Sequence, residues 1–180
     1  MRIIGGKHKG RKLLELKCDG VRPTLDRVRE NLFNILYPNV SNSTFLDLFT
    51  GSGAVGFEAI SRGAKEVVFA DKSNAVIQQV KKNAEIIGEK PVTICADYKT
   101  VLKRLSGKKF DIIYLDPPYG FCEEELFSDL SNSDILDDSS IVVYEHKSEN
   151  PLKNPNEWFI MYDERKYGIA TLTFMRKKNG

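Results

Sequence analysis

Short apolar runs alternate with stretches of helical periodicity through the middle of this chain, each bounded by a turn signal. Thr44–Phe49, Glu66–Asp71, Val92–Cys95 and Phe110–Leu115 read as strands. Between them, Ala54–Arg62, Asn74–Ile87 and Lys99–Leu105 carry the spacing of helices. Ser73 is placed to cap the second of these, and Gly63 and Gly88 stand where helices end. Such alternation predicts a mostly parallel α/β sheet with helices on both faces. Further on, Glu123–Leu130 reads as a helix and Ser140–Tyr144 as a strand. Trp158–Tyr162 and Ile169–Met175 follow with a connection too short for another crossover, so they predict an antiparallel hairpin closing the sheet. The first 40 residues differ: Ile3-Ile4 and Leu13–Leu16 are spaced to pair around Gly5–Gly10. Arg22-Pro23-Thr24 then leads into an amphipathic helix with Leu25, Val28, Leu32 and Leu36 on one face. One domain over residues 1–180 is expected, with residues 1–40 as an extension packed on it.

Charge adds a direction to this picture. The chain carries a net charge of only +2, yet residues 1–30 hold nine cations against four acids. A basic end on a nearly neutral body predicts a polyanionic partner contacted through that end. Arg2, Lys7, Lys9, Arg11, Arg22, Arg27 and Arg29 are the candidate phosphate contacts. With 41% hydrophobic and 29% charged residues the composition is that of a globular protein. No run is apolar enough to span a bilayer or serve as a signal h-region, so a cytoplasmic protein without a membrane partner is expected. Cys18, Cys95 and Cys122 are scattered, with no Cys-x-x-Cys, which predicts neither a disulfide framework nor a metal site.

Two motifs carry the chemistry. Phe45–Gly56 contains Gly-x-Gly-x-x-Gly directly after a strand and opening a helix, and Asp71 ends the next strand. Phe49, Thr50, Gly51, Ser52 and Gly53 form the turn, Asp71 is placed for ribose hydroxyls, and Lys72 beside it is a further candidate cofactor contact. This much fits a nicotinamide enzyme equally well. Asp47, within the end of the first strand, is suited to a cationic amino group, or alternatively to capping the turn. Asp97-Tyr98 after the third strand fits an adenine contact, with a plain helix cap as the alternative for Asp97.

The second motif is Asp116-Pro117-Pro118-Tyr119 at the end of the fourth strand. Two prolines fix φ and remove two backbone donors, leaving a rigid turn that presents a carboxylate, a bare carbonyl and an aromatic face. That set matches a planar exocyclic amino group. It resembles the Asn/Asp-Pro-Pro-Tyr motif of amino methyltransferases that use S-adenosylmethionine (SAM). Tyr144-Glu145-His146 ends a later strand nearby, leaving Glu145 open to a supporting role.

Arg2-Ile3-Ile4-Gly5-Gly6, Lys9–Leu13, Arg22-Pro23-Thr24, Asp26–Glu30 and Lys166-Tyr167-Gly168 join these motifs in a resemblance covering nearly the whole chain. With them the sequence is similar to the RsmD family, bacterial 16S ribosomal RNA guanine-N2 methyltransferases. The resemblance implies a Rossmann-like SAM-dependent methyltransferase fold and SAM as cofactor. It also implies 16S rRNA or a small-subunit assembly particle as partner; a monomer is the default expectation. Asp116 and the Pro117 carbonyl would accept the two N–H bonds of a guanine amine, and Tyr119 would stack on the base. His8 and Leu25 depart from the family pattern, where Trp and Thr are usual, bearing on RNA contacts or packing but not on the chemistry. DNA amino methyltransferases and protein glutamine methyltransferases share the acceptor geometry, and an idle RNA-binding module would use the basic end alone.

Overall fold

The computed structural model describes residues 1–15, 26–118, 120–152 and 157–178. Seven strands make one sheet: β1 (Thr44–Asp47), β2 (Glu66–Asp71), β3 (Val92–Cys95), β4 (Ile112–Leu115), β5 (Ile141–Lys147), β6 (Phe159–Tyr167) and β7 (Ala170–Lys177). Their order is β3-β2-β1-β4-β5-β7-β6. The first five are parallel neighbours, and β7 joins β5 and β6 antiparallel. This is the expected α/β sheet with its antiparallel hairpin. The order reverses between β1 and β4, the position where open α/β sheets bind ligands.

Consecutive strand residues point to opposite faces, and each face has its own core. Phe45, Val67, Phe69, Ile112, Tyr114 and Val143 face helices α1 (Asp26–Leu36), α2 (Ala54–Ser61) and α3 (Asn74–Ile87). Leu46, Val68, Ile113, Leu115 and Val142 face α4 (Tyr98–Arg104) and α5 (Glu123–Asn132). The central strands are apolar on both sides because both sides are covered. Ser73 caps α3 by accepting from Val76 N at 3.4 Å, and Gly88 ends that helix at φ 74°. Among the described residues no helix is long and apolar enough to cross a membrane.

Two elements differ from expectation. The amino-terminal pair reduces to one antiparallel bridge, Arg2 with Lys12, plus bonds such as Ile3 N to Arg11 O at 3.0 Å. Helix α2 is a main anchor of this segment, with α1 and α3 adding the bonds of Arg29 to Arg2 O and of Asn83 to Leu14. The carboxylate of Glu58, fully buried, accepts from Ile4 N at 2.8 Å, Gly5 N at 2.7 Å and Arg62 Nε at 2.8 Å. His8, the unusual residue in the signature, meets Glu89 at 2.6 Å beside Lys7 at 2.7 Å, so its side chain packs onto the end of α3. The second difference is β6, which runs on past Tyr162 through Asp163–Lys166. It is an edge strand, and pairing with β7 carries it through half-buried Asp163 and exposed Glu164, Arg165 and Lys166, where no apolar pattern marks it.

Candidate active site

The turn after β1 is tied down before any ligand enters. Thr50 Oγ1 donates to Asp47 O at 2.9 Å and accepts from Ala70 N at 3.0 Å, clamping the ends of β1 and β2 together. Its hydroxyl is thereby committed to the backbone, and Thr50 shapes the turn from behind. Asp71 Oδ2 accepts from Gly51 N at 3.1 Å, and its Oδ1 accepts from Ser73 N at 2.8 Å. Gly53 sits at φ 76° as the residue before α2, a left-handed conformation that favours glycine. Gly56 serves close packing: a Cβ there would lie 2.2 Å from Phe69 Cε1. Ser52 Oγ accepts from Ala54 N at 3.3 Å, and Lys72 is exposed beside the turn.

Asp47 lies on the floor. It is 1% exposed, and Oδ2 accepts from Gly56 N at 3.1 Å. Among the described residues Oδ1 has no hydrogen-bond partner. Burial pushes this carboxyl up to about 8, against the lowering effect of the Gly56 N–H. A buried carboxyl with one unmet oxygen is costly unless protonated or faced by a cation. That is what the ammonium of a methionine moiety supplies.

An aromatic cluster stands further along the same edge. Phe49 and Tyr98 rings are 6.1 Å apart, and Phe121 meets each at 5.3 Å. The Tyr98 hydroxyl donates to Asp129 Oδ2 at 2.8 Å, linking α4 to α5. Asp97 is the N-cap of α4, accepting from Thr100 N at 3.0 Å, so the capping alternative holds whatever else this exposed carboxylate does. Phe121 was not among the expected site residues; an aromatic two positions past the Pro-Pro-Tyr turn is its only trace in the sequence. The residues fit SAM: an unmet acid for the ammonium, Asp71 beside the glycine turn for ribose hydroxyls, and apolar rings for adenine.

Asp116 and Pro117 are half-buried at the end of β4, and Pro118 is exposed with its carbonyl accepting from Phe121 N at 3.2 Å. Tyr119 lies outside the described residues. Beneath Asp116, the buried Tyr114 hydroxyl donates to Glu145 Oε2. Burial raises the Tyr114 phenol well above its ordinary value, reinforced by the charges of Glu145, Asp116 and Asp47. Tyr114 therefore stands among carboxylates from three neighbouring strand ends.

The basic candidates separate into two groups. Arg2, Lys7, Lys9, Arg11 and Arg27 are exposed, Arg2 meeting Asp26 at 3.4 Å. Arg29 is corrected from phosphate contact to buried tie. It is 1% exposed, with Nη2 donating to Arg2 O at 2.6 Å and Asp26 Oδ1 at 3.0 Å, and with Nε 3.6 Å from Glu58. An inward guanidinium cannot reach a backbone phosphate. Arg22 lies outside the described residues, as do Thr24, Leu25 and Cys18.

The family model described as conserved hypothetical protein 95 matches residues 1–176. The chain is 38% identical to ribosomal RNA small subunit methyltransferase D of Haemophilus influenzae, covering 95% of this chain and 91% of that one. It is 34% identical to the Escherichia coli protein of the same name, over 100% of this chain and 92% of the other. The solved structure of yhhF from Escherichia coli superposes with TM-score 0.87 at 30% identity, covering 99% and 98% of the two chains. The chain belongs to the ribosomal RNA small subunit methyltransferase D family.

Proposed function

We propose that this protein methylates the exocyclic N2 amine of one guanine in 16S rRNA of the small ribosomal subunit. The observation that carries the reading is the position of Asp116: it ends β4 beside β1, so the acceptor carboxylate and the cofactor floor at Asp47 flank one sheet reversal. Relatives named for small-subunit rRNA methylation supply the substrate class.

SAM supplies, when bound, an electrophilic methyl group carried on a sulfonium. Asp47 holds its ammonium, the Gly51–Gly53 turn admits it closely, Asp71 takes ribose hydroxyls, and Phe49, Tyr98 and Asp97 border the adenine. Asp116 and the Pro117 carbonyl accept the two N–H bonds of the guanine amine. Its lone pair, otherwise delocalised into the ring, is thereby aimed toward the donor; orientation alone supplies much of the barrier lowering. Asp116 receives the proton that the amine gives up. Tyr119 provides the stacking face, worth about 1–3 kcal/mol per base. The guanine enters unstacked, from a loop or by flipping. Residues 1–40 form the basic extension of a single 1–180 unit and grip RNA through Arg2, Lys7, Lys9, Arg11, Arg22 and Arg27.

The test is transfer from labelled SAM to small-subunit particles lacking native modification, with naked rRNA and duplex DNA in parallel, followed by nucleoside mass spectrometry. N2-methylguanosine from the particle is expected. Label on DNA or protein, or none anywhere, overturns the rRNA reading.

A further inference from the structure

Strands β4 and β5 run parallel with Leu115 opposite Tyr144, so Asp116 and Glu145 come next at one level on neighbouring strands. Tyr114 pairs with Val143, and alternation along β5 brings Glu145 back to the face that Tyr114 occupies. The hydrogen bond from the Tyr114 hydroxyl to Glu145 Oε2 bears this out. Tyr114 is 2% exposed, whereas Asp116 and Glu145 are half-buried. Because the phenol is held well above its ordinary value by burial, it stays a donor across the working pH range. It orients Glu145, and a carboxylate has acceptor capacity for several donors.

We propose that Glu145 is a second base-reading carboxylate, accepting from guanine N1–H while Asp116 accepts from the adjacent N2 amine. The inference rests on the guanine-N2 reading above and gives it a source of base selectivity. Guanine presents two neighbouring donors on its Watson–Crick edge, N1–H and N2–H. Adenine and cytosine present an amine beside a bare ring nitrogen, which is an acceptor. Neighbouring strands lie about 4.8 Å apart, so two carboxylates at one level of β4 and β5 stand side by side, as two adjacent, near-parallel N–H donors on one base edge require. Against adenine or cytosine the second carboxylate faces a lone pair, and selection comes from that repulsion as much as from the bond gained. Asp116 alone would accept any exocyclic amine.

The probe is 2,6-diaminopurine, which keeps the 2-amine but carries a bare N1. Small-subunit particles are reconstituted with guanine or diaminopurine at the methylated position, and both transfer and turnover-free binding by the protein loaded with S-adenosylhomocysteine are measured. The wild type is expected to favour guanine by about tenfold or more in both. In Glu145→Gln that ratio collapses toward one, because the amide offers a donor to N1 as readily as an acceptor. Tyr114→Phe, which leaves Glu145 in place without its orienting donor, lowers the ratio partway and keeps the proposal testable should Glu145→Gln fold poorly. A wild-type ratio near one, or an unchanged ratio in both variants, overturns the role of Glu145. Failure to methylate either base removes the guanine-N2 reading itself, and this proposal with it.

Discussion

Burial raises Asp47 to about 8 and Oδ1 has no partner among the described residues, so near neutral pH the cofactor-free protein holds this carboxyl protonated. Receiving an ammonium requires the charged form, so binding must expel that proton. S-adenosylhomocysteine, which carries the same ammonium, is expected to release close to one proton at pH 6–7, seen as a calorimetric heat that depends on the buffer. Asp47→Asn abolishes the dependence and weakens binding; a buffer-independent heat in the wild type would show that Asp47 does not meet the ammonium. The same group shapes stability. Between its ordinary 3.8 and about 8 the folded state binds more protons than the unfolded, so its contribution disfavours folding increasingly across that window and levels off above it. Asp47→Asn therefore flattens the cofactor-free unfolding free energy between those limits. At the substrate end, Asp116→Ala is expected to cut turnover by about 10²-fold or more. SAM affinity stays nearly intact, as equilibrium dialysis can check; equal losses in both would make Asp116 a structural residue.

Helix α2 meets the sheet through Gly56, and Phe69 already packs on Phe57 at 4.9 Å between ring centroids. Gly56→Ala puts a methyl 2.2 Å from the Phe69 ring, so overpacking is expected to cost about 1–3 kcal/mol. Thermal unfolding reads this as a fall of about 2–4 °C for each kcal/mol, and an unchanged midpoint would mean that α2 shifts without cost. Such elements were legible because their signals are local. Glu66–Asp71, Asn74–Ile87 and Val92–Cys95 begin and end where their apolar runs, Ser73 and Gly88 place them. The glycine turn and Asp116 follow from the same adjacency. What stayed hidden depends on register between distant segments. The Tyr114–Glu145 bond exists because β5 lies beside β4, and Phe121 joins the aromatic cluster only through the folding of its loop. Arg29 looked like one more cation in a basic stretch; its burial against Glu58, on another helix, is written in no neighbouring residue.

Across the whole molecule, the net charge of +2 conceals a division of labour among the amino-terminal cations. Lys9 and Arg11 are exposed on the segment that Glu58 fastens to α2, whereas Arg29 is turned inward to help fasten it. Phosphate contacts release condensed counterions, so each one removed lowers the slope of log affinity against log salt by about 0.7–0.9. The double variant Lys9→Ala/Arg11→Ala is expected to lose about two such increments in RNA binding, with little change in unfolding temperature. Arg29→Ala is expected to do the reverse. Removing one partner of a buried ion pair costs about 3–5 kcal/mol, while the salt slope of whatever folded protein remains stays near that of the wild type. Binding across a salt series, alongside thermal unfolding of both variants, separates the two roles. A slope unchanged in the double variant would move the RNA grip away from this segment, leaving it as a brace for α2. A reduced slope in folded Arg29→Ala would mean that bracing and gripping are coupled, the buried tie holding the exposed cations at the spacing the RNA requires.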